Sequence, residues 1–288
     1  MAETPEAVQD LDLARPLGIL AGGGALPRRL VRHCQRTGRP VYLVAFSGHT
    51  DQASTDGVDH IWARLAAAGE ILAWLRAKGV KDLVFAGPVT RPSLKELRPD
   101  AKAARFLFKI GAKAFGADGL LGSMVRVLEE EEDFRVVGID QVLGNLLAAA
   151  GSYGRHQADQ QAQQDIQRGV AVLRAMAHLD IGQAVVVQQG VVLGVEAIEG
   201  TDQLLQRVAL LRRDGPGGVL VKLKKTQQEK RVDLPTIGPQ TVEGAQAAGL
   251  RGIAIEAGGA LVVDRAIVTA TADAAGLFVV GLDLGTDG

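Results

Sequence analysis

The amino-acid sequence predicts an α/β protein whose first half forms an open parallel sheet. The run Leu17–Ala21 meets three glycines and is followed by a helical pattern that closes at Gly38, so the chain reads as strand, glycine turn and helix. Further apolar runs alternate with helical segments, and this alternation favours parallel strands joined by right-handed crossovers. The composition agrees, since 36 glycines and only 4% aromatic residues suit helices packed closely on a parallel sheet.

The other elements of the first half follow in order along the chain. Strands are predicted at 41–46, 81–86 and 135–139, and helices at 25–38, 71–78, 106–115 and 120–132. Pro27 suits the first turn of its helix, where a missing N–H costs nothing. Ligands of such sheets bind beyond the carboxyl ends of the strands. The triple-glycine turn and the turn from Gly87 to Arg91 are placed there, so both are candidate ligand contacts.

The glycine turn leaves two interpretations open. The backbone N–H groups of Gly22, Gly23 and Gly24 could approach a phosphate at the start of the helix, or the glycines could serve only to begin that helix. A nicotinamide cofactor is disfavoured, because proline stands where the fingerprint Gly-x-Gly-x-x-Gly requires its third glycine. The second strand also ends in Phe46-Ser47-Gly48, without an acid to hold a ribose.

The best domain boundary lies where small and polar residues replace the apolar periodicity. We predict a disordered tail over 1–16, a first domain over 17–147, a linker over 148–160 and a mixed α/β domain over 161–288. In the second domain, the runs 184–188 and 191–195 flank Gln189-Gly190, which is typical of a tight hairpin. Helices are predicted at 166–176, 203–211, 240–250 and 264–274, and further strands at 218–224, 253–255, 261–263 and 278–282.

Thr201 and Asp202 precede the predicted helix at 203–211 and could serve in two ways. Either residue is a credible N-cap, since its side-chain oxygen can accept a hydrogen bond from the first N–H groups of a helix. Alternatively, Thr201 and the helix N-terminus would receive a phosphate, while Glu199 and Asp202 would contact a metal ion or sugar hydroxyl groups.

A basic segment, residues 222–231, leads to a single acid, Asp233. Lysine and arginine gathered in one segment suit the oxygens of a phosphate or diphosphate. A lone carboxylate among them would hold a metal ion or take a proton from water. The alternative is a basic surface hairpin that ends in the turn Leu234–Gly238. The cations of the segment are Lys222, Lys224, Lys225, Lys230 and Arg231.

Charge and composition exclude several classes of protein. The 32 basic and 33 acidic residues nearly cancel, so a general nucleic-acid binder is not expected. The single cysteine, Cys34, rules out an internal disulfide framework and fits a reducing compartment. No apolar run has the length of a membrane-spanning helix, and the first 16 residues lack the features of a signal peptide. We therefore expect a cytoplasmic protein.

Six motifs follow one another along the chain: Gly18–Pro27, Phe85–Pro92, Leu179–Gln183, Val195–Asp202, Arg231–Gly238 and Leu261–Arg265. In this order they resemble the bacterial UDP-2,3-diacylglucosamine pyrophosphatases of the LpxI type, which act in lipid A biosynthesis. The resemblance extends from about Leu17 to about Asp283. Two positions depart from the family pattern: Thr226 follows Lys225 where proline is usual, and Ala117 precedes Asp118 where a second acid is frequent.

The resemblance implies a Rossmann-like N-terminal domain, a C-terminal domain peculiar to the family, and a substrate bound between them. It implies hydrolysis of the diphosphate of UDP-2,3-diacylglucosamine to UMP and 2,3-diacylglucosamine 1-phosphate (lipid X), with Mg²⁺ or another divalent cation such as Mn²⁺. Asp233 matches the essential acid of the family, and we expect Asp233, Glu199 and Asp202 to hold the metal ion. The expected substrate contacts are Gly22, Gly23, Gly24, Arg91, Thr201, Lys225, Gln228, Arg231 and Thr236.

A lipid-linked UDP-sugar substrate further implies transient contact with the inner-membrane surface of a Gram-negative bacterium, and the family suggests a homodimer. The predicted helix at 106–115 could line the acyl chains, although ordinary core packing is the alternative for its apolar residues, Phe106, Leu107, Phe108, Ile110 and Phe115. Three rival functions stay open. They are a non-catalytic nucleotide-sugar or lipid binding protein of the same fold, a nicotinamide-dependent oxidoreductase, and an assembly subunit whose basic segment meets an acidic partner.

Overall fold

The chain divides into two compact units, Met1–Asn145 and Leu146–Gly288. The structure, a computed structural model, describes residues 12–89, 99–111, 119–144, 146–179, 181–225, 229 and 231–285. Most of the tail predicted over 1–16 lies outside these residues. The division at residue 145 falls two residues before the end of the predicted first domain.

The first unit contains a Rossmann-like sheet, which confirms the predicted fold class. Within the described residues its five strands stand in the order β3-β2-β1-β4-β5, and every neighbouring pair is parallel. The elements are β1 (Leu17–Ala21), α1 (Leu26–Thr37), β2 (Val41–Phe46), β3 (Asp59–Ala63), α2 (Ala68–Ala77), β4 (Asp82–Ala86), α3 (Ala101–Gly111), α4 (Gly119–Glu130), β5 (Arg135–Val136) and α5 (Ile139–Leu143).

The buried strands explain why the sequence pattern predicts this unit. β1 is buried along its whole length, and it packs with Leu30, Val31 and Cys34 of α1 in one core cluster. Gly38 caps the C-terminus of α1, and its φ of 73° lies in the left-handed region that favours glycine. β3 has no counterpart among our predicted strands, because it is an edge strand that is only partly buried and carries Asp59 and His60.

A buried ion cluster joins the amino ends of β4 and β5. The fully buried carboxylate of Asp82 accepts a hydrogen bond of 2.6 Å from Arg39, which is itself buried. Arg135 reaches the same carboxylate with its Nε and a terminal nitrogen, each at 2.8 Å. The negative charge of Asp82 therefore compensates the positive charges of two guanidinium groups in the first unit.

The second unit is a mixed α/β domain, as predicted. In the part of the unit that the structure describes, six strands stand in the order β6-β13-β11-β9-β7-β8. β9, β11 and β13 are mutually parallel, whereas β6, β7 and β8 join by antiparallel pairing. A short parallel pair, β10 with β12, stands apart from this sheet. The strands are β6 (Gly151–Ser152), β7 (Ala184–Gln188), β8 (Val191–Val195), β9 (Val219–Lys222), β10 (Thr236–Ile237), β11 (Gly252–Glu256), β12 (Leu261–Val262) and β13 (Phe278–Leu282).

The predicted linker, residues 148–160, belongs to this second unit. Ala148 is buried in its core, and β6 pairs with β13. Tyr153 donates its backbone N–H to the carbonyl of Val279. Small residues here allow close packing, since a Cβ at Gly281 would meet the carbonyl oxygen of Ala149 at 1.9 Å. The small and polar composition at 148–160 thus reflects tight contact with the edge of the sheet.

Helices cover both faces of the second sheet. α6 (Gln160–Met176) packs on one face, where a Cβ at Gly169 would lie 2.6 Å from Val221. On the other face lie α7 (Gly200–Ala209), α8 (Pro239–Ala247) and α9 (Arg265–Ala275). Alternate residues of β7 and β9 point into the two cores, as the pleat of a strand requires. Among the described residues, no helix combines the length and apolarity needed to cross a bilayer.

The predicted hairpin between β7 and β8 is confirmed, and a buried carboxylate holds its turn. Gln189 and Gly190 have φ values of 52° and 77°. Asp165 of α6 accepts hydrogen bonds from their N–H groups at 3.0 and 2.7 Å. This contact is not visible in the sequence, because Asp165 lies 24 residues before the turn.

Replacing Asp165 with alanine should lower the free energy of unfolding of the second unit by about 2–3 kcal/mol. The substitution leaves two turn N–H groups without their charged acceptor. Urea denaturation followed by far-UV circular dichroism measures the loss. Gln164→Ala, at an exposed position of the same helix, is the matched control and should change stability by less than about 0.5 kcal/mol. Equal midpoints for the two variants would contradict the assigned role of Asp165.

Candidate functional site

Several polar side chains meet at the carboxyl edge of the parallel strands in the second unit. β9 ends at Lys222 and β11 ends at Glu256. The antiparallel pair contributes Gln183 just before β7 and Glu196 just after β8. This is the edge at which ligands bind to open α/β sheets.

Lys222 is the buried centre of this edge, with only 5% of its surface exposed. Its Nζ donates hydrogen bonds to Oγ1 of Thr201 at 2.9 Å and to the backbone oxygen of Thr236 at 3.0 Å. Burial lowers the pKa of Lys222, while the charges of Glu196 and Asp202 act in the opposite direction. Lys222 therefore ties the end of β9 both to the first turn of α7 and to β10.

The contacts extend from Lys222 through Thr201 to a buried carboxylate. The Thr201 hydroxyl donates to Oε1 of Glu196 at 3.0 Å, and Oε2 of Glu196 accepts the N–H of Gln183 at 3.3 Å. Of the two interpretations of Thr201 and Asp202, the N-cap is wrong, because α7 begins at Gly200 and both residues lie in its first turn. The Thr201 hydroxyl, a predicted substrate contact, thus already accepts a hydrogen bond from Lys222 and donates one to Glu196.

Asp233 lies on a segment that is anchored on both sides. Its backbone N–H and that of Val232 donate to the carbonyl of Glu229, which forms a turn. The carbonyl of Pro235 then accepts the N–H of Leu261 at 2.7 Å, at the start of the β10–β12 pair. Asp233 is half-buried, and none of the residues that the structure describes donates a hydrogen bond to its carboxylate or forms an ion pair with it.

The predicted phosphate cations are placed differently from one another. Arg231 holds both carboxylate oxygens of Glu229, through Nε at 2.9 Å and a terminal nitrogen at 3.1 Å. This ion pair lowers the pKa of Glu229. Lys225 is half-buried, and Lys224 pairs with Glu256 at 2.8 Å. A phosphate approaching Arg231 would therefore meet a guanidinium that already holds a carboxylate. The number of cations in the segment does not reveal this pairing.

The predicted metal ligands do not form a cluster. Glu199 accepts hydrogen bonds from Arg207 and from the N–H of Ala197, and backbone N–H contacts followed by Arg207 lower its pKa. Asp202 is exposed. In the described part of the chain, no three side chains of His, Cys, Asp or Glu come together as a metal site. These carboxylates fit Mg²⁺ only if substrate phosphates supply most of the oxygen ligands and Asp233 supplies one.

The glycine turn of the first unit has its N–H groups in use. Gly22 donates to the carbonyl of Ala86 at 2.8 Å, Gly23 to that of Pro88 at 2.9 Å, and Gly24 to the carboxylate of Asp51 at 2.9 Å. A phosphate at Gly24 would have to displace Asp51. Sequence inspection missed Asp51 because it lies five residues beyond the end of β2.

Close packing of two loops explains the glycines themselves. A Cβ at Gly22 would lie 2.4 Å from the backbone oxygen of Pro88, and one at Gly87 would lie 2.1 Å from that of Gly23. Gly87 also has a φ of 87°, in the region that favours glycine. This geometry supports the structural interpretation of the turn. Two further predicted contacts, Arg91 and Gln228, lie outside the described residues.

Lys222 is the residue of this site that sequence reasoning missed. We grouped it with the other cations of the basic segment, whereas its side chain is buried. The available signal was its place at the end of the apolar run Val219-Leu-Val-Lys222, in a strand buried along its whole length.

Two family models together match most of this chain. The family model described as the LpxI N-terminal domain matches residues 16–146, and the model described as the LpxI C-terminal domain matches residues 149–280. UDP-2,3-diacylglucosamine pyrophosphatase LpxI of Caulobacter vibrioides is 43% identical over 278 residues, which cover 93% of this chain and 98% of that protein.

A solved structure of glycinamide-RNase-transformylase T from Mycobacterium tuberculosis shares 16% identity with this chain. The match covers 64% of this chain and 44% of that one, with a TM-score of 0.24. Similarity at this level carries no argument about fold or function.

Proposed function

This chain belongs to the LpxI family, and on that premise we propose that it hydrolyses the diphosphate of UDP-2,3-diacylglucosamine to UMP and 2,3-diacylglucosamine 1-phosphate. Family models match both units, and the Caulobacter vibrioides relative bears the name of this activity. The structural observation that carries the proposal is the environment of the Asp233 carboxylate. This half-buried carboxylate has no partner among the described residues, yet its segment is fixed by the β10–β12 pair. A carboxylate to which no described residue donates a hydrogen bond is available for chemistry.

The proposed reaction is a displacement at phosphorus by water. The water oxygen forms a bond to one phosphorus, the bridging P–O bond breaks, and the departing phosphate keeps the electron pair. Asp233 accepts the proton of the attacking water, which is the role of a general base. Lys225, Arg231 and the N–H groups at the start of α7 oppose the negative charge that spreads over the phosphoryl oxygens.

A divalent cation is part of the proposal. Mg²⁺ or Mn²⁺ would neutralise phosphate oxygens and orient the diphosphate when bound. In the alternative in which Asp233 is a metal ligand and not the base, its carboxylate is the one that the described residues offer, since Glu199 is held by Arg207. The exposed Asp202 lies in the first turn of α7, where its negative charge interacts favourably with the helix dipole.

Contact with a membrane surface belongs to the same proposal, because the substrate carries two acyl chains. Phe108 on α3 supports it, since 83% of this large apolar side chain is exposed. Phe106, by contrast, is half-buried with the Lys102 ammonium 5.9 Å from its ring centre. The side chains of Leu107 and Ile110, and Phe115 itself, lie outside the described part of the chain. The homodimer and the cytoplasmic location stay predictions.

The purified protein should release UMP from UDP-2,3-diacylglucosamine in detergent micelles when Mg²⁺ is present. EDTA should stop the release and Mn²⁺ should restore it, because the diphosphate is expected to bind with the cation. Chromatography of UMP and of the lipid phosphate measures both products. Reaction in ¹⁸O-labelled water shows which phosphorus is attacked.

Two results would contradict the proposed activity. Tight binding of the substrate without release of UMP would indicate the non-catalytic binding protein. Saturable binding of NAD or NADP, with no hydrolysis, would indicate the oxidoreductase.

A further inference from the structure

We propose that Lys222 is a positioning residue for this reaction, and that its buried ammonium fixes the segment of Asp233 against the first turn of α7. The inference rests on the proposed function and adds to it a residue that does not touch the reacting atoms. The geometry that carries it is the pair of hydrogen bonds from Nζ, one to the Thr201 hydroxyl and one to the Thr236 carbonyl.

The contact to Thr236 acts on Asp233 through a short and stiff connection. Only two residues, Leu234 and Pro235, lie between Asp233 and Thr236, and the ring of Pro235 fixes its φ. On the far side, β10 pairs with β12, and the N–H of Val263 donates to the carbonyl of Ile237. Lys222 thus supplies a hydrogen-bonded link between this segment and the main sheet, at the end of β9. Loss of that link would let the Asp233 carboxylate shift relative to its target.

The contact to Thr201 positions the other partner of the site. Thr201 accepts from Lys222 and donates to Glu196, and Glu196 in turn accepts from Gln183 next to β7. The hydroxyl is therefore oriented by a donor on one side and an acceptor on the other. This fixes the start of α7, whose N–H groups the proposed function assigns to the phosphoryl oxygens.

Packing alone does not account for a lysine here. Burying an ammonium group is unfavourable, and apolar residues of similar size often replace buried charges without loss of stability. Burial lowers the pKa of Lys222, against the effect of Glu196 and Asp202. A position that keeps a costly cation between two hydrogen-bond acceptors fits a requirement for fixed geometry.

The test uses Lys222→Met, which keeps the length of the side chain and removes its donors. We expect kcat to fall roughly 30- to 100-fold while KM changes less than about threefold, since a displacement near 1 Å can cost about a hundredfold in rate. Thr201→Val should lower kcat in the same way. If the two residues act through their contact, the double variant should lose no more than the worse single variant.

The stability control is Asp165→Ala, which weakens the same unit at the opposite end of the sheet. It should keep the wild-type kcat even though its urea midpoint is lower. A Lys222→Met protein with kcat within about twofold of wild type would overturn the positioning role, as would a raised KM at unchanged kcat. If Lys222→Met does not fold, Thr201→Val decides by the same criteria. A wild-type protein that releases no UMP would refute the proposed function itself, so the two failures are distinguishable.

Discussion

Replacing Asp233 with asparagine should lower kcat by about a hundredfold to ten-thousandfold while leaving the fold intact. This is the range over which general bases act in enzymes, and it corresponds to about 3–5 kcal/mol of transition-state stabilisation. The fold should survive, because no described residue relies on the Asp233 carboxylate for a hydrogen bond or an ion pair. KM should change little, since the amide has nearly the same shape.

The measurement is the initial rate of UMP release, with far-UV circular dichroism and the urea midpoint as checks on folding. Asp214→Asn is the matched control. Asp214 is exposed and lies before β9, at the end of the strand opposite Lys222, so this variant should retain the full rate. Wild-type turnover by Asp233→Asn would refute both the general-base role and the choice of this carboxylate as the observation that carries the function.

Titration with Mn²⁺ separates the two roles that a carboxylate can have here. If Asp233 serves chiefly as a metal ligand, high Mn²⁺ should restore much of the rate of Asp233→Asn, since the cation would be bound more weakly yet could still act. If Asp233 serves as the base, the loss should persist at saturating Mn²⁺. We expect the second result.

Much of the fold was predictable because it depends on local patterns. The strand, glycine turn and helix at the start of the first unit follow from a buried apolar run and from residues suited to the ends of the helix. The hairpin at Gln189 follows from its turn residues. β3 was missed because an edge strand exposes polar side chains, and residues 148–160 suggested a linker because small residues serve both loops and tight packing.

The site was less predictable because it depends on pairings between side chains. Asp233 could be chosen from its position in a family motif. Nothing in the sequence shows that Arg231 is held by Glu229, that Glu199 is held by Arg207, or that the lysine ending β9 is buried. A run of cations indicates positive charge in a segment, but which cations face a ligand is decided by the acids that fold against them. Only tertiary structure supplies that information.

Replacing Asp82 with alanine should destabilise the first unit by about 3–5 kcal/mol, the usual cost of removing one partner from a buried ion pair. Two arginines depend on this carboxylate: Arg39, which is buried, and Arg135, which is about one-third exposed. Removing it leaves the Arg39 guanidinium inside the protein without its counter-charge. A loss of this size is a large fraction of the stability of a typical domain.

The tryptophans make this prediction specific to the first unit. Trp62 and Trp74, the two tryptophans of the chain, both lie in that unit, so their fluorescence during urea denaturation follows its unfolding. Asp59→Asn is the control, because the Asp59–Lys78 pair lies at the surface and should contribute little to stability. The double change Asp82→Leu with Arg39→Met should recover part of the loss, since it removes the uncompensated charge along with its partner. Equal fluorescence midpoints for Asp82→Ala and Asp59→Asn would show that the buried cluster contributes no more than a surface pair.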